Sequence, residues 1–434
     1  MNRVKILLCL SFIALYFLGI PLAFSQTENE QTDIEELKKD APKVFLDCGS
    51  CDIDYIRTEI TFVNYVRDRK EAHVHILVTT QGTGSGGREY TISLIGQLDF
   101  EGINDTQQYY SEQTDTQDET REGLTNAIKI GLTSYAAKTP IASRMRVSYT
   151  EKAEQKAVED KWNSWIFRIS GNTRFNGQKT YKSSSLNGSF SASRITEDFK
   201  VSMSLSAGHD RDDITYGDET IERLQNDMNF NGLFVKSISD HWSVGAYVRA
   251  DSSTYENIKY SINTSPAIEF NLFPYSESTR RQFRFLYRFG FHVLKYREET
   301  IYDKMSENLW NQSLSATFDI KEKWGSISTT LSGSHYFHDF SKNRIDIFSI
   351  LNIRIIKGLS FFALGIGSSV HDQLSLPKGE ASREEVLLHI KQLETSYSYF
   401  FSVGLSFTFG SIFTNVVNPR FGSSGSGGIS IIIN

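Results

Sequence analysis

The sequence predicts a mainly β protein: a twelve-stranded antiparallel transmembrane β-barrel preceded by a small α/β domain with the order β-α-β-β-α-β. Three observations predict it. Between residues 162 and 410 large apolar side chains recur at every second position, with small polar ones between them. Helical periodicity nearly vanishes over the same span. The connections between the alternating segments switch between short and long.

The N-terminus reads as a secretory signal over residues 1–25. Arg3 and Lys5 precede the apolar run Ile6–Leu18, and Ala23-Phe24-Ser25 supplies a small-x-small cleavage site. Cys9 lies inside that run, away from a lipoprotein-type cleavage position, so no lipid anchor is expected. Export leaves Cys48 and Cys51 in an oxidising compartment. Residues 26–43 are polar and charged and read as a flexible leader.

Residues 44–150 carry the α/β pattern. "KVFLDC" is a short strand, and Ile53, Ile56, Ile60 and Val63 then mark one face of a helix. "AHVHILVTT" and "REYTISLIGQLDF" are strands joined by the glycine-rich "QGTGSGG". Thr116 and Glu119 have capping-box spacing and open a second helix with Leu124, Ile128 and Leu132 inward. "RMRVSYTE" (Arg144–Glu151) is expected to close the sheet, giving a split-βαβ arrangement. Residues 151–161 form a charged linker.

Twelve alternating segments follow between residues 162 and 410. "TSYSYFFSVGLSFTFG" (Thr395–Gly410) is the clearest: Tyr397, Tyr399, Phe401, Val403, Leu405, Phe407 and Phe409 share one face, and serine, glycine and threonine dominate the other. A period of two is a strand with unlike faces. Elsewhere the apolar face carries Phe283, Phe285, Tyr287, Phe289 and Phe291, or Val201, Met203 and Leu205; the polar face carries Ser202, Ser204 and Ser206. A soluble β-sandwich also alternates, but its outer face tends to be charged. Here the polar face is dominated by uncharged serine and threonine, while charge collects in the loops. Segments of about ten residues, apolar outward and polar inward, belong to a membrane barrel. Turns such as "ITED", "SISDH", "KEKWG" and "IKG" alternate with longer loops such as "GHDRDDITYGDETIERLQND", and the last loop is the longest. With twelve strands both barrel ends fall on the side of the short turns, where the small domain is expected. Residues 411–434 form a tail.

Composition narrows the function classes. The 434 residues carry a formal net charge of -6, are 39% hydrophobic and 13% aromatic, and include 30 Phe and 20 Tyr. Mild acidity without a basic face argues against nucleic-acid binding. Beyond residue 25 no apolar run is long enough for a transmembrane helix.

"VFLDCGSCD", with its continuation to Gln97, resembles the N-terminal domain of uncharacterised exported proteins of Gram-negative bacteria, and the ending "FTFGSIFTNVVNPRFG" (Phe407–Gly422) is similar to theirs. The LDCxxCD motif and the VNPRF tail carry the resemblance. It implies an outer-membrane β-barrel with a periplasmic domain, and it implies no activity.

Candidate chemistry is sparse. Cys48-Gly-Ser-Cys51 at a strand-to-helix junction is expected to be a small structural disulfide. A redox pair or half a metal site are the other readings. His73 and His75 share one side of a strand, where packing is the default over metal binding. "GTGSGG" lacks a phosphate loop's Lys-Ser/Thr ending and reads as a hairpin tip. Val66–His73, with Arg67, Asp68 and Arg69, reads as solvated surface. In the last loop Val386, Leu387, Ile390 and Leu393 have helical spacing, as for a short amphipathic helix at the rim.

On the inner barrel face lie Arg168, Arg174, Arg249, Glu269, Arg284, Arg288, Asp346 and Arg354. Buried charges need water or each other, so these either line a channel or lock into pairs that plug it. The leading expectation is a porin-like channel for small solutes, with no cofactor. The alternatives are a non-conducting scaffold whose periplasmic domain docks an envelope or cell-wall partner and, third, an outer-membrane hydrolase. His335 and His338 are the histidines nearest a barrel rim, but abundant serine makes any pairing uninformative, and the chain reads as not an enzyme. Expected partners are outer-membrane lipid and the barrel-assembly machinery.

Overall fold

The computed structural model describes residues 39–84, 86–148, 161–379, 392–415 and 420. The expected signal, the leader up to residue 38, the linker up to residue 160, the rim helix up to residue 391, and the tail other than 411–415 and 420 lie outside these residues, whereas Lys43, expected in the leader, opens the first strand. The described chain forms two sheets, one of five strands and one of twelve.

The small sheet has the order β2-β1-β3-β4-β5, from β1 (Lys43–Asp47), β2 (Asn64–Tyr65), β3 (Val74–Gly82), β4 (Arg88–Gly96) and β5 (Asn104–Ser111). β1 pairs in parallel with β2 and β3, and β4 pairs antiparallel with both β3 and β5. Helix α1 (Ile53–Glu59) starts at Asp52, whose carboxylate accepts the Tyr55 amide. Helix α2 (Gln117–Ala136) opens on the expected capping box: Thr116 Oγ1 accepts the Glu119 amide at 3.2 Å, and Glu119 Oε2 accepts the Thr116 amide at 2.7 Å. Leu124, Ile128 and Leu132 are buried against Val74, Ile76, Ile92 and Leu94, so both helices cover one face of the sheet.

One expectation here is corrected. The described part of Arg144–Glu151 does not join the sheet: residues 145–148 carry no strand, and Val147 is exposed. The fifth strand is instead β5, "NDTQQYYS". Its polar composition hides it, because only alternate residues touch the core.

The large sheet runs in sequence order as an antiparallel meander. Its strands are β6 (Trp165–Gln178), β7 (Tyr181–Ile195), β8 (Phe199–Tyr216), β9 (Glu219–Ser237), β10 (Trp242–Ser253), β11 (Ile258–Asn271), β12 (Arg281–Tyr296), β13 (Ser306–Glu322), β14 (Gly325–Tyr336), β15 (Asn343–Ile356), β16 (Leu359–Val370) and β17 (Tyr397–Phe407). The end strands β6 and β17 are not hydrogen-bonded to each other, so the sheet is left open along one seam. The expected apolar face is outward and exposed, as at Ile169, Met228, Trp310, Leu331 and Ile345.

The expected long loop between β8 and β9 is not a loop. The two strands continue to a turn at Gly217 and Asp218, because their charges pair across the hairpin: Arg211 with Glu222 at 3.3 Å, and Arg223 with Asp212 at 3.3 Å. The last loop is long as expected, and its first part, residues 371–379, folds onto the sheet. Leu374 packs on Leu294, Tyr296 and Leu309, and the Ile301 amide donates to the Leu376 carbonyl.

Candidate functional site

The inner face of the large sheet and the small sheet laid against its rim form the candidate site. Strand register fixes the facing of each residue. Arg168 lies opposite Ser191, Arg174 opposite Ser185, Arg249 opposite Asn263, and Ala267 opposite Arg288. All eight charged residues read from sequence therefore stand on the polar face, dispersed over its length. Five of them are held in ion pairs: Arg249 with Asp251 at 2.8 Å, Arg284 with Glu269 at 3.7 Å, Asp346 with Arg344 at 2.9 Å, and Arg354 with Asp47 at 2.6 Å. Arg288 donates to Ser313 Oγ and lies over the Tyr247 ring.

Residues from seven consecutive strands, Ser204, Asn231, Arg249, Ser261, Arg288, Asn311 and Ser334 among them, line one cavity of about 710 Å3. The sheet wraps around this polar space. One part of the inner face departs from the expected hydroxyl surface. β16, ambiguous in sequence, turns Phe362, Leu364 and Ile366 inward beside Phe348, Ile350 and Phe400. Serine and glycine on both faces of β16 conceal that register.

A second cavity, of about 800 Å3, lies between the two sheets at the end of the short turns. Asp47, Leu77 and Thr79 of the small sheet line it, with Ser326, Asn352, Arg354, Ser360 and Phe362 of the large one. The helix-free face of the small sheet therefore looks into this end of the large sheet. Arg354 holds the junction. Its Nη1 and Nη2 donate to Asp47 Oδ2 and Oδ1 at 2.6 and 2.7 Å, the bidentate geometry that suits a guanidinium, and its plane lies over Phe45.

His75 Nε2 lies 3.2 Å from Asp47 Oδ2. Burial raises the Asp47 pKa, but the Arg354 and His75 hydrogen bonds and the guanidinium charge outweigh it and hold the carboxyl at about 2. His75 is fully buried, and burial pushes its pKa down despite the neighbouring carboxylate. It is therefore neutral, with Nε2–H donating to Asp47 and Nδ1 buried without a partner.

Four further contacts cross the junction, and they correct the reading of Val66–His73 as solvated surface. Asp68 accepts the Gly358 amide at 2.9 Å, Glu71 pairs with Lys357, and Arg67 donates to the carbonyls of Gly410 and Ile412. Gly358 sits at φ +75 in the two-residue turn between β15 and β16, a conformation suited to glycine. Beyond β17 the chain turns back onto the small sheet. Val66 and Phe413 form an antiparallel bridge, and the Thr414 amide donates to the Tyr65 carbonyl at 2.9 Å. No local pattern signals these contacts, because each partner lies hundreds of residues away.

The Cys48–Cys51 disulfide is formed, with Cα atoms 5.6 Å apart, just before α1. "GTGSGG" joins β3 to β4. His73 and His75 do not share a ligand: His73 faces Asp99 at 3.8 Å and His75 faces Asp47. His335 contacts Gln312, and the His338 ring lies tilted beside Tyr336.

A twelve-stranded antiparallel meander with an apolar outer face and a polar inner one fits a porin-like membrane β-barrel. Among the described residues no helix is long and apolar enough to cross a membrane. No protein-family model and no curated protein matches the chain. Among solved structures it is similar to the NanC porin in a rhombohedral crystal form, with a TM-score of 0.28 and 11% identity, covering 56% of this chain and 99% of that one.

Proposed function

We propose that the protein is an outer-membrane β-barrel whose lumen passes small polar solutes, with the α/β domain on the periplasmic side. The carrying observation is the contrast of faces: exposed aromatic and aliphatic side chains outside, and a polar cavity inside bounded by seven strands. Lipid tolerates no unpaired strand edge, so β6 and β17 pair in the membrane and close the seam. Short turns face the periplasm in such barrels, and the small domain contacts the turn of Lys357 and Gly358, which supports the orientation.

One observation favours a non-conducting scaffold instead. The small sheet faces the lumen at one end, and residues 371–379 fold onto its wall at the other. Purified protein in planar bilayers separates the two readings. Stepwise conductance, in the wild type or in Arg354→Ala with the junction loosened, supports the channel. Silence of both proteins at high loading overturns it.

A further inference from the structure

We propose a second activity for this lumen: Ser261 and His292 form a nucleophile–base pair that hydrolyses short-chain carboxylic esters. The inference rests on the reading of the inner face as wet, and on no other part of the channel proposal. Ser261 on β11 and His292 on β12 are diagonal neighbours on that face, since Ser261 lies opposite Leu294 and His292 opposite Asn263. The Ser261 Oγ is 2.7 Å from His292 Nε2, and His292 Nδ1 is 3.2 Å from the Tyr336 hydroxyl of β14. With Nδ1–H donating to Tyr336, the Nε2 lone pair is left to accept the serine proton. That is the tautomer a general base requires, held by a third group. All three side chains line the cavity of about 710 Å3.

The surroundings supply the rest of an acyl-transfer site. Asn263, Asn311 and Arg288 line the same cavity and are donors suited to a developing oxyanion. Gly290 opens the space between them, where a Cβ would run into Asn311 and Ser265. Leu294 and Leu309 beside the pair are already packed against Leu374, so no apolar groove is left for a long chain. The acyl group is therefore short and the alcohol polar. Ser261 Oγ attacks the ester carbonyl carbon, and its proton passes to His292 Nε2. The carbon–alkoxy bond breaks as His292 returns that proton to the leaving alcohol. Water, deprotonated by the same nitrogen, then releases the acid and restores the serine. Tyr336 is a positioning residue.

A fluorophosphonate probe on the refolded full-length protein tests this, with heat-modifiable gel mobility reporting folding of every variant. The expected result is labelling at Ser261, found by peptide mapping, absent in Ser261→Ala and roughly 10²–10⁴-fold slower in His292→Gln. Tyr336→Phe is expected to lower the maximal labelling rate without changing half-saturation by the probe. Ser189→Ala, elsewhere on the inner face, is expected to label at the wild-type rate. A folded wild type that does not label at Ser261, or a folded His292→Gln that labels at full speed, overturns the proposal. Conductance is read separately, so failure of the esterase and failure of the channel are distinguishable.

Discussion

Asp47 concentrates the energetics of the junction. Its carboxyl is held down at about 2, below the usual 3.8, and its side chain is only 21% exposed. That difference corresponds to about 2 kcal/mol in favour of the native junction. Because the folded value is depressed, this stability is present above pH 3.8 and is lost as pH falls through about 2. The lowered His75 value acts earlier and with the same sign. Below its ordinary 6.5 the unfolded chain takes up a proton that the buried imidazole refuses. Melting of the small domain should therefore fall in two stages on acidification, and His75→Phe should remove the upper one while only weakening the lower, which Arg354 sustains. A pH series of thermal melts in detergent checks this, and a single stage in the wild type would contradict it. Arg354 was legible as a lumen residue from its place in the alternation. Its partner was not, because 307 residues separate the two and no local pattern encodes that distance.

At the level of elements, period-two patterning carried most of the large sheet, because a strand slipped by one residue would reverse every facing. It failed where chemistry did not distinguish the faces, as in β16 and polar β5. It also failed where charge was taken for loop, as in the β8–β9 hairpin, whose ion pairs make a polar sequence a good ladder. The facing itself is testable. Phe289 stacks outward on Trp310 at 5.2 Å, whereas Ser204 lines the inner cavity. Phe289→Arg should cost about 2–4 kcal/mol in a refolding titration in lipid. Ser204→Arg should cost far less. Equal losses would refute the assignment.

On the scale of the whole molecule, the candidate site needed the fold before it could be seen. Ser261 and His292 belong to different strands, and Tyr336 lies 44 residues beyond His292. Sequence showed serines in excess and offered no way to choose among them. Register made the choice. The placement of the small domain was anticipated only through strand parity, which requires both ends of an even-stranded meander to emerge on one side. The contacts that hold it there come from Arg354, from the turn of Lys357 and Gly358 and from residues 410–415, all outside its own span.

That last contact gives the chain a clasp: the segment leaving β17 lies along β2, the outermost strand of a sheet made hundreds of residues earlier. During synthesis this border stays bare until residues 411–415 emerge, and a bare border recruits foreign strands. A polypeptide stopped at Gly410 should therefore self-associate through its N-terminal portion even with all twelve long strands intact. Adding a peptide of residues 411–420 in trans should suppress the clumping, as light scattering would record.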